Sequence, residues 1–275
     1  MIIRKRNMAE NITVADIIAA STIRVELTGG MKMNKTQLKL SGEKDFFVQE
    51  AYKVLRSNLQ FCGQDVRAIA ITSCYENEGK TSITLHLGKS FAELDKKVLI
   101  IDADMRKSVM LGRNSISKDV KGLSEFLTGL AKIDECIYET QYPFLNIIFA
   151  GKYPPNPVEL LNTTKFGELI KSMKEEYDYI IIDLPPLGAV IDAAVVAPQC
   201  DGVALVISRD NVRGSTAQEV IAQLKASKSR ILGIIKNNTN KRKNSYYRDG
   251  YSRYYTRYGG KNNSNKNIKG PGFIG

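Results

Sequence analysis

The segment SCYENEGKTS, residues 73–82, carries the clearest signal for chemistry in this sequence. It lies between a short apolar run and a helical pattern, so its N–H groups would lie at a helix N-terminus, where a phosphate can bind. There Gly79 lets the backbone approach an anion, Lys80 reaches the terminal phosphates and the Thr81 hydroxyl ligates Mg²⁺. The sequence therefore predicts a phosphate-binding loop (P-loop) for a nucleotide. We assign the nucleotide contacts to Glu78, Gly79, Lys80, Thr81 and Ser82.

This loop departs from the usual GxxxxGK[ST] pattern. Cys74 stands at the first glycine, and Glu76 and Glu78 oppose a phosphate charge unless they point to solvent. A chance Gly-Lys-Thr at the start of a helix would also explain the local pattern. The strand–loop–helix context and two acidic strand ends favour the P-loop over this alternative.

Two apolar runs end in carboxylates that can serve a magnesium ion. Asp102 and Asp104 follow the run 98–101, and their spacing of two residues points both side chains to one side of an extended chain. Asp183 ends a second run just before two prolines, as the Walker B aspartate of a nucleotide site does. Each aspartate alone is an ordinary turn residue, but with the P-loop they predict an ATP and Mg²⁺ site. We assign the metal to Thr81, Asp102 and Asp183.

The surrounding elements alternate between apolar runs and helical patterns. The runs 68–72, 98–101, 145–149, 179–183, 202–207 and 231–235 predict buried strands. Helical spacing of apolar residues predicts helices at 43–61, 81–94, 164–175, 189–197 and 216–226. This alternation predicts an α/β fold with a mostly parallel central sheet, helices on both faces and ligands at the carboxyl ends of the strands.

Composition divides the 275-residue chain into three parts. Residues 1–40 show no sustained period and predict a poorly ordered extension, residues 41–240 carry the P-loop domain, and residues 241–275 predict a disordered tail. The tail carries nine Lys or Arg against Asp249 alone, which places +8 of the net charge of +11 there. The basic character therefore belongs to a tail and not to a folded surface.

Several other classes of protein are disfavoured. No apolar stretch approaches the roughly 18 residues that span a bilayer, and the basic N-terminus lacks the apolar core of a secretory signal. The four cysteines are far apart and His86 is the only histidine, so zinc sites and Ser-His-Asp catalysis have little support. We expect a cytoplasmic protein with a reducing environment.

Six tyrosines fall within thirteen residues of the basic tail: Tyr246, Tyr247, Tyr251, Tyr254, Tyr255 and Tyr258. Each phosphate on a tyrosine would add about −1.5 to −2 charges, so several would reverse the charge of the tail. Tyrosines interleaved with arginine can also stack on single-stranded nucleic acid, and a basic tail can adhere to anionic lipid. Beside a P-loop, phosphorylation is the favoured interpretation, and we expect no nucleic-acid partner.

Together these motifs resemble the bacterial tyrosine kinase family. Asp102, Asp104 and Arg106 are similar to its Walker A′ element, and Asp183 to its Walker B element. Residues 151–161, GKYPPNPVELL, resemble its P-P-N-P-x-E-L-L segment, and the tail resembles its tyrosine cluster. Glu50, Lys53 and Arg56 resemble its E-x-x-R-x-x-R oligomerisation motif, with lysine at the first arginine. The resemblance runs from about residue 43 to residue 258 in the family's order.

The resemblance implies an ATP-dependent protein-tyrosine kinase in capsule and exopolysaccharide synthesis, which phosphorylates its own tail in trans within a ring. It implies roles for Lys80, Asp102, Asp104 and Asp183 in catalysis. Asp104 is the candidate base, although Asp102 and Asp104 can divide the metal and base roles differently. Arg106 either steadies the transition state or pairs with an acid of the site. Asn237 is a candidate adenine contact, and Asp192 is either a family position or a helix N-terminal acid.

The resemblance also implies partners. These are a membrane polysaccharide chain-length regulator, which recruits the chain to the inner face of the membrane and supplies an activating cytoplasmic segment, and a cognate tyrosine phosphatase. A positioning ATPase of the ParA/MinD type is an alternative, but such proteins usually have an extra lysine early in the P-loop, and residues 73–78 have none. A nucleotide-switched nucleic-acid-binding protein and a slow, degenerate kinase are further alternatives.

Overall fold

The computed structural model describes residues 34–40, 45–114, 120–208 and 212–237. The six tail tyrosines and residues 1–33 of the predicted extension lie outside these ranges. The predicted division into three parts therefore stays a prediction.

The described strands form one eight-stranded sheet. In chain order they are β1 (Asn34–Lys35), β2 (Ala68–Ser73), β3 (Val98–Asp102), β4 (Ile137–Glu139), β5 (Leu145–Ile148), β6 (Tyr179–Asp183), β7 (Gly202–Ser208) and β8 (Ile231–Asn237). Across the sheet the order is β1-β4-β5-β3-β6-β2-β7-β8. All neighbouring strands are parallel except the antiparallel pair β4 and β5. The predicted mostly parallel α/β fold is confirmed.

Helices connect these strands and flank the sheet. The described helices are α1 (Phe46–Phe61), α2 (Lys80–Ala92), α3 (Met110–Asn114), α4 (Leu123–Leu127), α5 (Ile133–Cys136), α6 (Pro157–Leu161), α7 (Thr164–Glu176), α8 (Asp192–Val196) and α9 (Gly214–Ala226). None of the helices in these described ranges is both long enough and apolar enough to cross a bilayer.

The core lies on both faces of the sheet. Along β2, Ala68 and Ala70 pack into one cluster of buried apolar side chains, whereas Ile69 and Ile71 pack into the other. Successive side chains of a strand point to opposite faces, so a strand covered on both sides reads as an unbroken apolar run. This explains why the central strands were visible in the sequence.

The structure adds elements that the sequence pattern did not indicate. Strands β1 and β4 have two and three residues, and the helices α3 to α6 have four or five. Segments this short carry no measurable period, so their apolar spacing does not separate them from loops. Strand β4 and its antiparallel pairing with β5 were therefore missed.

Helix α1 packs against α2 through specific side chains. Asp45 caps α1 by accepting a hydrogen bond from the backbone of Phe47 at 2.9 Å. The rings of Tyr52 and His86 stack with centroids 4.7 Å apart, so His86 packs α2 against α1. Arg56 is buried, and its guanidinium donates to the carbonyl and to the hydroxyl of Ser90 in α2.

We expect Arg56→Ala to lower the free energy of unfolding by about 1–3 kcal/mol, because it removes a buried donor and leaves the Ser90 carbonyl unsatisfied. Chemical denaturation would measure the change. Lys53→Ala in the same helix is the matched control, since Lys53 forms an exposed ion pair with Glu50 and such pairs contribute about 0–1 kcal/mol. Equal denaturation midpoints for the two variants would contradict this role of Arg56.

Candidate active site

The predicted P-loop connects β2 to α2 at the carboxyl edge of the sheet. β6 lies directly beside β2, and β3 lies beside β6. In the strand register Asp102 pairs with Asp183, and Asp183 pairs with Ile71 of β2. The sheet topology therefore brings both acidic strand ends next to the phosphate-binding loop, although they are far apart in the chain.

Gly79 allows the backbone to turn into α2. Its φ of +88° lies in the left-handed region, where side chains are disfavoured. A Cβ at this position would come within 2.1 Å of the Asn237 side-chain nitrogen. Asn237, the candidate adenine contact, donates its amide to the Glu78 carbonyl at 2.8 Å. The end of β8 is thus attached to the P-loop.

Lys80 points into the centre of the site. Its ammonium lies 2.9 Å from a carboxylate oxygen of Asp104, and both side chains are almost fully buried. Burial by itself lowers the pKa of Lys80, but the carboxylates of Asp183 and Asp104 outweigh burial and raise it. Lys80 therefore stays a cation where it can neutralise a phosphate.

A second contact joins the P-loop to β6. The Thr81 hydroxyl donates to Asp183 at 2.6 Å, whereas the other carboxylate oxygen of Asp183 has no hydrogen-bond partner among the described residues. Ser108 donates to Asp102. Burial raises the pKa of both Asp183 and Asp102 above the ordinary value of an aspartate, and the charge of Asp183 raises the pKa of Asp102 further.

These residues fit a magnesium ion. An unpartnered buried carboxylate oxygen is costly, and a cation would satisfy it. No cluster of three His, Cys, Asp or Glu in the described part of the chain forms a complete metal cage. Mg²⁺ usually keeps several waters and takes one or two carboxylates plus substrate phosphates, so Thr81, Asp102 and Asp183 would hold it together with a nucleotide.

The two glutamates of the loop differ in what they contact. Glu78 is 1% exposed and points inward, where its carboxylate accepts backbone N–H groups of Cys74 at 2.7 Å, Tyr75 at 2.8 Å and Ser208 at 2.9 Å. Glu76 is exposed and pairs with Lys107 at 2.6 Å. In the structure the Glu78 side chain supports the loop from within, and the assignment of Glu78 to the nucleotide stays a prediction.

Arg106 pairs with Asp192, which agrees with the alternative in which Arg106 pairs with an acid of the site. Its Nε lies 3.1 and 3.2 Å from the two oxygens of Asp192, which is fully buried at the start of α8. Part of the arginine side chain stays exposed at the pocket, beside Lys107. Ser82 is half-buried in the first turn of α2.

Glu78, Ser108 and Ser208 are contacts that sequence reasoning missed or interpreted differently. Ser108 follows the end of β3 and Ser208 is the last residue of β7, and neither has a motif around it. The only feature of the sequence that could have suggested the internal role of Glu78 is an acidic residue directly before Gly79. Cys74, which stands where the usual pattern has its first glycine, is fully buried, so its side chain packs inside the loop. Burial, and then the charge of Glu78, raise the pKa of its thiol to about 11.

Comparison with known proteins agrees with this geometry. The AAA domain family matches residues 66–236. The tyrosine-protein kinase CpsD of Streptococcus agalactiae is 41% identical over 192 residues, which are 70% of this chain and 84% of that protein. The kinase domain of the Escherichia coli tyrosine kinase ETK has a TM-score of 0.67 and 31% identity, over 70% of this chain and 76% of that structure. The septum site-determining protein MinD of Pyrococcus horikoshii, complexed with Mg-ADP, has a TM-score of 0.53 and 29% identity, over 64% of this chain and 73% of that structure.

A P-loop lysine and threonine facing the acidic ends of two neighbouring parallel strands define a P-loop NTPase. Within that class the chain belongs to the tyrosine-protein kinase family of bacteria. The family resemblance drawn from the motifs is therefore confirmed, and the chain is a protein-tyrosine kinase.

Proposed function

We propose that this kinase uses Mg-ATP to phosphorylate the tyrosines of its own tail, Tyr246 to Tyr258, in trans within an oligomer. We further propose that this reaction regulates the synthesis and export of a capsular or extracellular polysaccharide. The observation that carries the catalytic part is the buried group of Lys80, Thr81, Asp104 and Asp183 at one edge of the sheet.

In this proposal Lys80 changes partner when ATP binds. Its ammonium contacts Asp104 in the structure, and the terminal phosphates of ATP would compete for the same cation. Releasing Asp104 from the ion pair leaves a carboxylate beside the reacting phosphate. Thr81, Asp102 and Asp183 would hold Mg²⁺, which when bound neutralises charge on the phosphates.

Asp104 is the candidate general base. A phenol has a pKa near 10 and is a poor nucleophile while it is protonated. Asp104 is 5% exposed and lines the pocket beside Lys80, so it can accept the phenol proton as the bond to phosphorus forms. Its backbone N–H donates to Asp102 at 3.2 Å, which ties the base to the metal ligand. Arg106, held by Asp192, adds a positive charge at the pocket.

Assembly is supported by an exposed apolar stripe on α1. Phe47, Val54 and Phe61 recur every seven residues and are 50%, 47% and 85% exposed. Ala51 and Asn58 continue the stripe with alternating spacings of four and three, the pattern by which one helix packs on another. We propose that a second copy of the chain covers this stripe. Glu50 and Lys53, which pair at 2.7 Å, border the stripe, whereas Arg56 supports it from within.

We expect Phe61→Glu to weaken self-association at least about tenfold, because it replaces the most exposed aromatic ring of the stripe with a charge inside the proposed apolar contact. Analytical ultracentrifugation over a concentration series would measure the shift. Leu130→Glu is the control, since Leu130 is 76% exposed and lies outside α1. A Phe61→Glu chain that assembles like the control would show that α1 is not the interface.

The proposed partners follow from the family. We propose a membrane polysaccharide chain-length regulator that supplies an activating cytoplasmic segment and recruits the kinase to the inner face of the membrane. A tyrosine phosphatase would reset the tail. Both proposals rest on the resemblance to family members and on the basic tail, whose charge phosphorylation would reverse.

The test is incubation of the full chain with Mg-ATP, with and without the adaptor segment, followed by mapping of phosphate by mass spectrometry. We expect phosphotyrosine within residues 246–258, and none in a Lys80→Met chain. To test transfer in trans, an active chain lacking residues 241–275 is mixed with an Asp104→Asn chain that keeps its tail, which should then become phosphorylated. ATP hydrolysis with an unmodified tail would instead favour a positioning ATPase.

A further inference from the structure

The pocket beside the P-loop has two chemically different sides. One side is polar and is formed by the P-loop together with Asp104, Arg106 and Lys107. The apolar lining residues are Val109, which follows β3, and Pro185, Pro186, Ala189 and Val190, which follow β6; we call these five the apolar side. In the proposed function the polar side binds the phosphates and the metal. The apolar side has no role in that chemistry, because proline lacks an N–H group and these side chains carry no donors.

The apolar side is held rigidly against the phosphate side. The hydroxyl of Thr72 at the end of β2 donates to the Pro185 carbonyl at 2.8 Å. The N–H groups of Ala189 and Val190 donate to the Pro186 carbonyl at 3.0 and 3.2 Å. At Gly188 a Cβ would come within 2.3 Å of the Cys74 carbonyl, so the segment touches the P-loop backbone directly. Residues 185–190 are therefore attached both to β2 and to the P-loop.

We propose that Val109, Pro185, Pro186, Ala189 and Val190 form the subsite that receives the phenol ring of the acceptor tyrosine. A ring against this surface, which we term the ring wall, would bury apolar area while its hydroxyl points to Asp104. The phenol oxygen then bonds to the γ-phosphorus, the bond from that phosphorus to ADP breaks, and Asp104 takes the phenol proton. This inference deepens the proposed function and rests on it.

The ring wall also accounts for selectivity among hydroxyl groups. A serine or threonine side chain is too short to contact the wall while its oxygen lies at the phosphorus, so it would gain no apolar contact. A tyrosine gains the contact of a whole ring. Since a single methylene in an apolar pocket already changes specificity by about 10- to 200-fold, the contact of a ring is enough to favour tyrosine. The wall therefore selects a phenol by its length and its apolar ring.

The test uses the full chain with a synthetic peptide of residues 246–258 as acceptor. Ala189→Trp fills the subsite, so we expect the KM for the peptide to rise at least about tenfold. Val190→Thr keeps the shape but places a hydroxyl in the wall, and we expect a smaller rise in the same direction. Ile191→Thr is the matched control, because Ile191 is the next residue, is 61% exposed and does not line the pocket.

Two readouts separate the outcomes. The Kd for Mg-ADP, which depends on the polar side, should change less than about twofold in the wall variants while the peptide KM rises. A peptide KM equal to that of Ile191→Thr in both variants, with tyrosine transfer intact, would overturn the ring wall and leave the proposed function standing. Absence of tyrosine transfer in the unmodified chain would instead contradict the proposed function, and the ring wall with it.

Discussion

Asp104→Asn is expected to lower tyrosine phosphorylation by about 10²- to 10⁴-fold, the range that a positioned general base contributes. The asparagine keeps the size of the side chain but cannot accept the phenol proton. It also removes the ion pair that holds Lys80 at 2.9 Å. Since Lys80 is then free to contact phosphate, the affinity for Mg-ADP should stay equal or increase.

The measurement combines a phosphotyrosine assay with a nucleotide titration. Asp65→Asn is the matched control, because Asp65 makes an exposed ion pair with Arg230 and lies outside the pocket. Loss of transfer together with an equal loss of nucleotide affinity would indicate that Asp104 serves binding and not proton transfer. Transfer at the level of the control would remove Asp104 from the mechanism.

Glu78→Gln should destabilise the fold by about 2–4 kcal/mol and weaken nucleotide binding with it. The carboxylate accepts three backbone N–H groups, from Cys74, Tyr75 and Ser208. An amide has one acceptor oxygen, so its NH₂ group would face at least one N–H group and leave that donor unsatisfied in a buried place. The loop that must present its amides to phosphate would lose its internal support.

The control for this prediction lies in the same loop. Glu76→Gln makes the same change of charge, but Glu76 is exposed and its carboxylate pairs with the exposed Lys107 instead of supporting the loop backbone. We expect its denaturation midpoint and its Kd for Mg-ADP to stay close to those of the unmodified chain. If the two variants behaved alike, the loss of stability would come from the change in net charge, and the proposed support of the loop by Glu78 would be wrong.

The contrast between these two glutamates shows where sequence analysis reached its limit. The central strands and the long helices were predicted because buried strands and amphipathic helices leave a periodic pattern. The P-loop, Asp102 and Asp183 were predicted because their chemistry requires those residue types at strand ends. The direction in which Glu78 points has no such signature, since it depends on Ser208 of a strand about 130 residues later.

Arg56 and Asn237 show the same limit. Their side chains were assigned to a neighbouring subunit and to adenine, and the structure gives both of them partners in their own chain, Ser90 and the Glu78 carbonyl. A resemblance identifies the position of a residue in a motif, but a partner across the fold is found only when the packing of the helices and strands is known. The assignments of Arg56 to oligomerisation and of Asn237 to adenine stay predictions.

The order of the strands has a consequence for how the chain is made. β6 lies between β3 and β2 in the sheet, yet it comes about 80 residues after β3 in the chain. A nascent chain therefore cannot assemble the edge that binds nucleotide until Asp183 has left the ribosome. Such long-range pairing slows folding, and Mg-ATP in the cell would stabilise the completed sheet by mass action. Because the tail is synthesised after Asp183, its tyrosines would emerge only once every strand of the nucleotide edge is already present.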